Sequence, residues 1–529
     1  MSEHAANGQP SVDVLVVGAG PTGLTLACDL ARRGVTARVV DKAREPFGGS
    51  RGKGLQPRTL EVFDDLGVID AVLAAGSEYP RLRVHAGWLA FPWDMQHRAK
   101  RTSNLPYPNT WLLPQARTEA ILRARLAELG GGVELGTELS SFEQDPGGVT
   151  ARLACGGAVE QVRARYLVGA DGGHSVVRKA LGVHFVGQPL EGARAVVGDV
   201  RVDDLDRRFW HVWPWARSGP VALCPLPHGD RFQLFAPLPG AADLELTESS
   251  VRELVLAAIG RSAPRLRDPS WLSLYRPSVR LVDRYREGRV FLAGDAAHVH
   301  PATGGQGLNV GVQDAYNLGW KLAAALQGAP AALLGTYEEE RRPVAAGVLG
   351  LSTALHHRKW QRRGDATKQL RTTYRGSSLA AEASGSATRV RAGDRASDAI
   401  CSDGQGGAVR LFDVLRGPRV TLLAFGESAR RAAAEECAGR GVRVIHVVAS
   451  RRDTRGEALV DGDRGLQRTY DVGEGSLVLI RPDGYVGVIT RAPSAAVVGR
   501  YLDRIGPPVL ATASGRSAGS IARLTTTGS

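Results

Sequence analysis

The sequence predicts a mixed α/β protein of several domains, and three observations predict it. Residues 12–41 read as strand, glycine-rich turn, helix and a second strand ending in an acid. Residues 185–282 change to short alternating strands separated by turn residues, the pattern of an antiparallel sheet. Beyond residue 395 a new strand–helix–strand series begins. A length of 529 residues also exceeds one ordinary domain.

In the first unit, Val12–Val17 is an apolar run read as a buried parallel strand, and Leu24–Arg33 has a helical pattern stopped by Gly34. Thr36–Val40 is the second strand, ending at Asp41. Between strand and helix stands Gly18-Ala-Gly-Pro-Thr-Gly23, the Rossmann-like dinucleotide fingerprint. Gly18 allows the tight turn, Gly20 lets the backbone approach a pyrophosphate, and Gly23 lets helix and strand pack closely. Asp41 can accept hydrogen bonds from ribose hydroxyls and would repel a 2′-phosphate, so the site suits FAD or NAD rather than NADP.

Ser50–Arg58 is a basic loop in which Arg51 and Lys53 either reach a cofactor or are solvated, and a helix follows over Thr59–Leu66. Residues 79–110, rich in aromatics and proline, read as extended segments leaving the first domain. Gln115 opens a helix to Leu129, with strands near Val133–Leu135, Val149–Leu153 and Val159–Val162. Tyr166–Gly182 is again strand, Asp171-Gly172 turn and helix, with Ser175 as its cap. The second sheet is expected over Ala195–Val202, Trp210–Trp215, Val221–Pro225 and Arg231–Pro237, with a helix near Ser249–Ile259. Arg289–Asn309 then returns to the first unit. It is a buried strand, Val290–Ala293, that delivers Asp295 and runs into Gly304, Gly305 and Gly307 at a helix start, where unpartnered N–H groups attract negative charge. The helix continues over about Gly311–Leu326, and another runs from Tyr337 to about Trp360. Residues 361–393 read as a solvated linker. Strands at Val420–Phe425, Val442–Val448, Ser476–Ile480 and Tyr485–Ile489 and a helix at Ser428–Arg440 make the last unit, before a small, polar tail expected to be disordered.

The hydrophobic fraction of 43% fits a globular protein with real cores, and no apolar run approaches a membrane span. Residues 1–11 lack a signal-peptide pattern, so a cytoplasmic location without membrane association is expected. Five scattered cysteines, Cys28, Cys155, Cys224, Cys401 and Cys437, form no CxxC pair and no metal-like spacing; reduced structural thiols and no metal are expected. The net charge of +13 is spread without a dense run or an aromatic platform, which favours a solvated basic surface over nucleic-acid binding.

Three motifs in order carry a resemblance: Gly18–Gly23 with Asp41, Asp171-Gly172, and Gly294-Asp295 with Pro301–Asn309. The chain resembles the para-hydroxybenzoate hydroxylase-like, single-component FAD monooxygenases over residues 12–345. Its last unit is similar to the thioredoxin-like domain of the subgroup acting on phenols and aromatic polyketides. That domain lacks the CxxC pair here, so a structural or dimer-supporting role is implied. The implied fold is an FAD-binding domain of Rossmann-like (GR2) type over 10–80, 111–184 and 283–345, with an inserted antiparallel substrate domain over 81–110 and 185–282. A helical linker over 346–394, the thioredoxin-like domain over 395–510 and the tail over 511–529 complete it.

The resemblance implies that Gly18, Gly20 and Gly23 approach the FAD pyrophosphate and Asp41 the adenosine ribose, with Pro21, Thr22 and Lys42 as further cofactor-binding positions. It places Arg51 and Lys53 beside the flavin, Gln115 near the ribityl and phosphate groups, and Leu139 at a backbone contact to adenine. Asp171 and Gly172 serve both FAD and NAD(P)H. Asp295 holds the ribityl chain, and Pro301, Gly307, Leu308 and Asn309 form the pyrimidine side. His298 and His300 are structural rather than acid–base groups on this reading. Trp213-Pro-Trp215 is similar to the tryptophan pair of flavin halogenases but lacks the continuation of that motif. Trp88, Trp93, Trp213, Trp215, Phe232 and Phe235 are pocket candidates or simply core positions. The implied activity is hydroxylation of a phenolic, polycyclic aromatic polyketide with NADH or NADPH and O2 through a flavin C4a-hydroperoxide, by a monomer or homodimer. Baeyer–Villiger or ring-rearranging oxygenation, antibiotic inactivation, and a non-oxygenating FAD-binding helper are the alternatives. No side chain stands out as the group that activates the substrate.

Overall fold

The computed structural model describes residues 11–95, 98–190, 194–240, 244–301, 305–357, 365–382, 389–454, 456–492 and 494–506. Gly304 and the expected disordered tail, residues 511–529, lie outside them.

Ser11–Val17 sits centrally in an eight-stranded sheet, parallel to Ala37–Asp41 on one side and to Ala158–Gly169 on the other. Val290–Leu292 adds a further parallel strand beside Ala158–Gly169. The central strand is apolar because both its faces are covered: Val14, Leu15 and Val16 are fully buried. The strand expected over Val159–Val162 is the outer half of Ala158–Gly169; this half pairs antiparallel with Gly148–Cys155, while the inner half joins the parallel sheet. The first helix starts at Pro21, earlier than its apolar period, because proline at the first helical position gives up an N–H that has no partner there anyway. It packs on both Gln115–Glu128 and the long helix Gly307–Leu326, called here the site helix.

The second sheet has seven strands in the order Leu266–Tyr275, Ala195–Val202, Arg231–Pro237, Val221–Pro225, Phe209–Trp213, Arg81–Ala86 and Leu89–Trp93. Residues 79–110 therefore supply its edge hairpin. Helix Glu248–Ile259, capped reciprocally by Thr247 and Ser250, covers one face, burying Val251 and Val255 against Val196, Phe232 and Leu234. The edge strand Leu266–Tyr275 was not expected, because Asp268 and Pro269 interrupt its strand signal; an edge position tolerates both.

The C-terminal sheet places Thr421–Phe425 parallel to Arg443–Val448 and antiparallel to Leu477–Ile480. Helices Gly426–Cys437 and Ala495–Ile505 pack together over it. Their core is continuous with the first unit: Trp320 and Leu333 pack in one cluster with Leu422, Leu479 and Tyr501. The helix expected from Tyr337 begins at Ala332 and runs to His357, with Pro343 inside it. The solvated linker is corrected on one point: Thr367, Gln369, Tyr374 and Leu379 are buried. Among the described residues, no helix is long and apolar enough to cross a membrane.

Candidate functional site

The three sequence motifs meet at the C-terminal ends of the parallel strands, the end at which open α/β sheets bind ligands. Gly18 has φ +106°, and a side chain there would lie 2.4 Å from the Ala170 carbonyl, so the fingerprint turn rests on the Asp171 motif. A Cβ on Gly294 or Gly311 would stand 2.5 or 2.4 Å from the Thr22 hydroxyl. Thr22 thus wedges the fingerprint helix between the Asp295 turn and the site helix. Gly20, by contrast, faces open space. The helix behind it begins with no side-chain cap and no acid in its first turn, and the same is true of the site helix.

Asp41 accepts from Ala19 N and Ala43 N, both at 2.8 Å, and so pins the fingerprint loop; Lys42 beside it is exposed. Gln115 Oε1 accepts from Gly52 N at 3.2 Å, and a Cβ on Gly52 would meet Leu308 Cδ1 at 3.1 Å. The basic loop therefore lies against the first turn of the site helix. Arg51 stacks over Phe47 at 5.2 Å and acts electrostatically on Asp295. Leu139 buries its side chain and has only backbone to offer. Asp171 Oδ2 accepts from Val176 N at 2.7 Å, while its buried Oδ1 has no partner. Gly172 has φ +81° in the adjoining turn.

The Asp295 carboxylate reaches solvent. Surrounding protein nevertheless crowds it, and burial pushes its carboxyl above the ordinary range; His298 and Arg51 oppose the shift and Asp314 adds to it. The group is thus solvent-accessible and closely surrounded by protein at once. Opposite it, a Cβ on Gly307 would come within 3.8 Å of Asp295 Oδ1 and 3.3 Å of His300 Cε1. His300 donates from Nδ1 to the Pro301 carbonyl at 3.4 Å, and its buried Nε2 has no partner. Burial, then the neighbouring His298, pushes the His300 imidazole down to about 4, so it is a neutral acceptor at physiological pH. His298 donates to the fully buried Asp314 at 2.6 Å, a structural role.

These features fit FAD. Two uncapped helix starts suit the pyrophosphate and the pyrimidine edge, and a carboxylate between them suits ribityl hydroxyls. Asn309 fixes the second helix start, accepting from Gln56 N at 2.7 Å and donating to the Gly54 and Gly305 carbonyls, each at 2.7 Å.

The substrate-side candidates divide by strand phase. Trp213 and Phe232 point into the core under helix Glu248–Ile259, while Trp88 and Trp215 are 92% and 70% exposed. Trp93 and Phe235 share the opposite face, which the basic loop approaches, with Leu82, Val212 and Trp210. Lys53 lies 4.6 Å over the Trp210 ring and donates to Gln233 Oε1. Gln233 donates to the Ser50 carbonyl at 2.8 Å, and Asp199 accepts from Ser50 N at 2.9 Å and from its hydroxyl. Burial pushes the Asp199 carboxyl up, against hydrogen bonds from Ser50. The sequence reading missed Trp210 and this cluster. Asp199 and Gln233, polar residues inside otherwise apolar strands, were the available signal.

Behind the site runs a seam of buried charge. Asp314 accepts from Gly294 N at 3.1 Å and from Arg341 Nε at 2.7 Å, and Arg341 donates to Tyr374 Oη at 2.9 Å. Glu340 receives Lys321 at 2.7 Å and, from the C-terminal unit, Arg481 at 2.6 and 2.8 Å. Burial alone would raise the Glu340 carboxyl, but Arg481 and Lys321 hold it far below the ordinary range. The same two cations compete for one anion, so Lys321, desolvated and facing Arg481, is pushed down to about 8 despite its partner.

Residues 11–352 match the family described as FAD binding domain, and residues 372–508 match the C-terminal region of aromatic-ring hydroxylases. The chain is similar to a flavin-dependent monooxygenase of Mycobacteroides abscessus, at 48% identity over 93% of this chain and 99% of the relative. It is 36% identical to a 6-methylpretetramide 4-monooxygenase of Streptomyces rimosus, over 89% of this chain and 90% of that protein. The solved structure of aklavinone-11 hydroxylase with FAD and aklavinone covers 96% of this chain and is itself covered over 99% of its length, with a TM-score of 0.79 at 31% identity.

Proposed function

This chain belongs to the FAD-binding aromatic-ring hydroxylases, which are flavin-dependent monooxygenases, and from that premise we propose that it hydroxylates a phenolic, polycyclic aromatic compound of the polyketide type. The observation that carries the substrate class is the face of the second sheet opposite helix Glu248–Ile259. There Trp93, Trp210, Phe235, Leu82 and Val212 share one face, ended by the Lys53–Gln233 pair, and the basic loop ties that face to Leu308. A flat apolar ring system suits such a wall, and a phenolic oxygen suits its polar end. The two relatives named for 6-methylpretetramide and aklavinone support the same class.

FAD, when bound, would pass electrons from NAD(P)H, the reductant typical of this class, to O2, one atom of which enters the substrate while the other leaves as water. The chain's own residues bind and orient. Asp295 accepts from ribityl hydroxyls; Gly20 leaves room for the pyrophosphate, while Gly18, Gly23 and Thr22 let the turn and helix pack closely behind it; Asp41 faces the ribose. The N–H groups of Gly307, Leu308 and Asn309 favour negative charge on the pyrimidine side. Lys53 holds a cation where it can favour an ionised phenol, and the apolar wall excludes water from the reacting carbon. The C-terminal unit, thioredoxin-like in our reading, serves structure: its Cys437 thiol is pushed up to about 11 by burial and is no nucleophile.

The test is NAD(P)H consumption by the FAD-loaded protein across polycyclic phenols, with isotopically labelled O2 and product mass. Substrate-stimulated consumption with one labelled oxygen in a hydroxylated product is expected. A ring-expanded product would move the protein to Baeyer–Villiger chemistry, and no stimulation by any phenol would remove the proposal.

A further inference from the structure

We infer that Gln369 is a positioning residue for the flavin, locking the first two turns of the site helix from outside the FAD-binding domain. The inference rests on the reading above that the start of this helix faces the cofactor. Gln369 falls between the two matched regions, which end at residue 352 and resume at 372.

Gln369 is strained and held. Its φ of +60° lies in the left-handed region that side chains other than glycine avoid, and the residue is buried. A conformation of this kind persists only where the surroundings impose it. Here its own amide makes the attachments. Nε2 donates to Gln306 Oε1 at 2.6 Å, and Oε1 accepts from Gln313 Nε2 at 2.5 Å. Gln306, the residue before the helix, also donates to the Thr367 carbonyl at 3.0 Å, and Gln313 donates to Asn309 O at 3.2 Å. One side chain thus clamps the residue that opens the helix to a residue nearly two turns along it. The clamped segment contains Gly307, Leu308 and Asn309.

The chemistry of the clamp matches its position. Gln56, Gln306, Asn309, Gln313 and Gln369 are all amides, and the first turn carries no acid. Amides fix geometry through directed hydrogen bonds while adding no net charge. An ion in the same place would cancel or swamp the field of the helix start, which is what favours the negative charge gained when the flavin is reduced. Releasing the clamp should therefore loosen the cofactor and lower its midpoint potential.

Gln369→Gly tests this, because glycine accepts φ +60° without strain while removing the amide. Arg464→Gly, at φ +56° on an exposed surface, controls for relief of strain alone. FAD release is followed on the loaded proteins by recovery of free-flavin fluorescence, the potential by equilibration with reference dyes, and apoprotein stability by thermal unfolding. We expect Gln369→Gly to lose FAD at least tenfold faster and to show a lower potential, with a smaller fall in apoprotein melting, because relief of the backbone strain offsets part of the two lost hydrogen bonds. Arg464→Gly should change neither flavin readout. Gln369→Asn, which keeps an amide and tolerates the backbone, should recover part of both. Wild-type release and potential in Gln369→Gly would overturn the inference. Faster release with an unchanged potential and an equal fall in apoprotein melting would overturn it too, as a purely structural effect. If Asp295→Ala retains FAD as tightly as wild type, the site reading itself fails, which is a separate outcome.

Discussion

At its start, the helix Gly307–Leu326 is held by neutral amides; from Asp314 onward the same helix is held by ions. Gln306, Asn309 and Gln313 bond to Gln369, Gln56 and backbone carbonyls. From the very next residue, Asp314 meets Arg341, and further along Lys321 meets Glu340 and, through it, Arg481. Both sets are buried, so exposure does not separate them. What separates them is what each faces. The ionic set faces only protein, where opposite charges compensate each other locally. The amide set borders the proposed flavin site, where a stray charge would act on the bound cofactor. The titration behaviour divides the same way: Asp314 and Glu340 are held below the ordinary carboxyl range by their cations against desolvation, whereas burial raises Asp295 and Asp199 on the ligand side.

The comparison can be broken most forcefully at Glu340. Glu340→Ala leaves Arg481 and Lys321 buried without their shared anion, and should cost about 3–5 kcal/mol in chemical denaturation. The flavin potential of the surviving folded protein should stay at the wild-type value; a large shift would erase the distinction between the two ends. Asp295→Ala should do the reverse, weakening FAD by about 1.5–3 kcal/mol, the worth of hydrogen bonds to a charged group, with little loss of apoprotein stability. Equilibrium FAD titration reads this out.

Acid denaturation sharpens the contrast further. Glu340 is depressed in the folded state, so its contribution is complete above its ordinary value of 4.5 and is lost as pH falls below it. Glu340→Gln should therefore flatten the acid limb of stability against pH. Asp295 is raised from 3.8, so it binds its proton more readily folded than unfolded and favours folding as pH falls through the window just above that value. In the apoprotein, Asp295→Asn should steepen the loss of stability over that window. The smallest effect belongs to Tyr374→Phe, which removes the acceptor of Arg341 and should cost about 1 kcal/mol. Combined with Gln369→Gly it should add to within about 0.5 kcal/mol if the two networks are independent.

The local part of this site was legible in the sequence. The fingerprint glycines, Asp41, the Asp171 turn and the Asp295 strand end are each set by a few consecutive residues, and the structure brings them together. Asp41 shows the limit of that reading, since its carboxylate also fastens Ala19 and Ala43, which no spacing announces. The substrate wall was legible in composition but not in phase. Alternation says that Phe232 and Phe235 face opposite ways, yet only the position of helix Glu248–Ile259 decides that Phe232 is core. Gln369 was illegible. It stands inside a polar, small-residue stretch that reads as solvated, and its partners lie 56 and 63 residues away.

The sheet order has a consequence for how the protein is made. Ser11–Val17 leaves the ribosome first, but its neighbour Ala158–Gly169 follows some 150 residues later, at an elongation rate of about 5–20 residues per second. The strand that delivers Asp295, Val290–Leu292, comes later still. Until then this largely apolar strand has an open edge, a state prone to wrong pairing. On the proposed site, FAD can be gripped only after residue 309 has emerged. Supplying the cofactor during synthesis or refolding should therefore act late, by trapping a nearly complete fold rather than by seeding it.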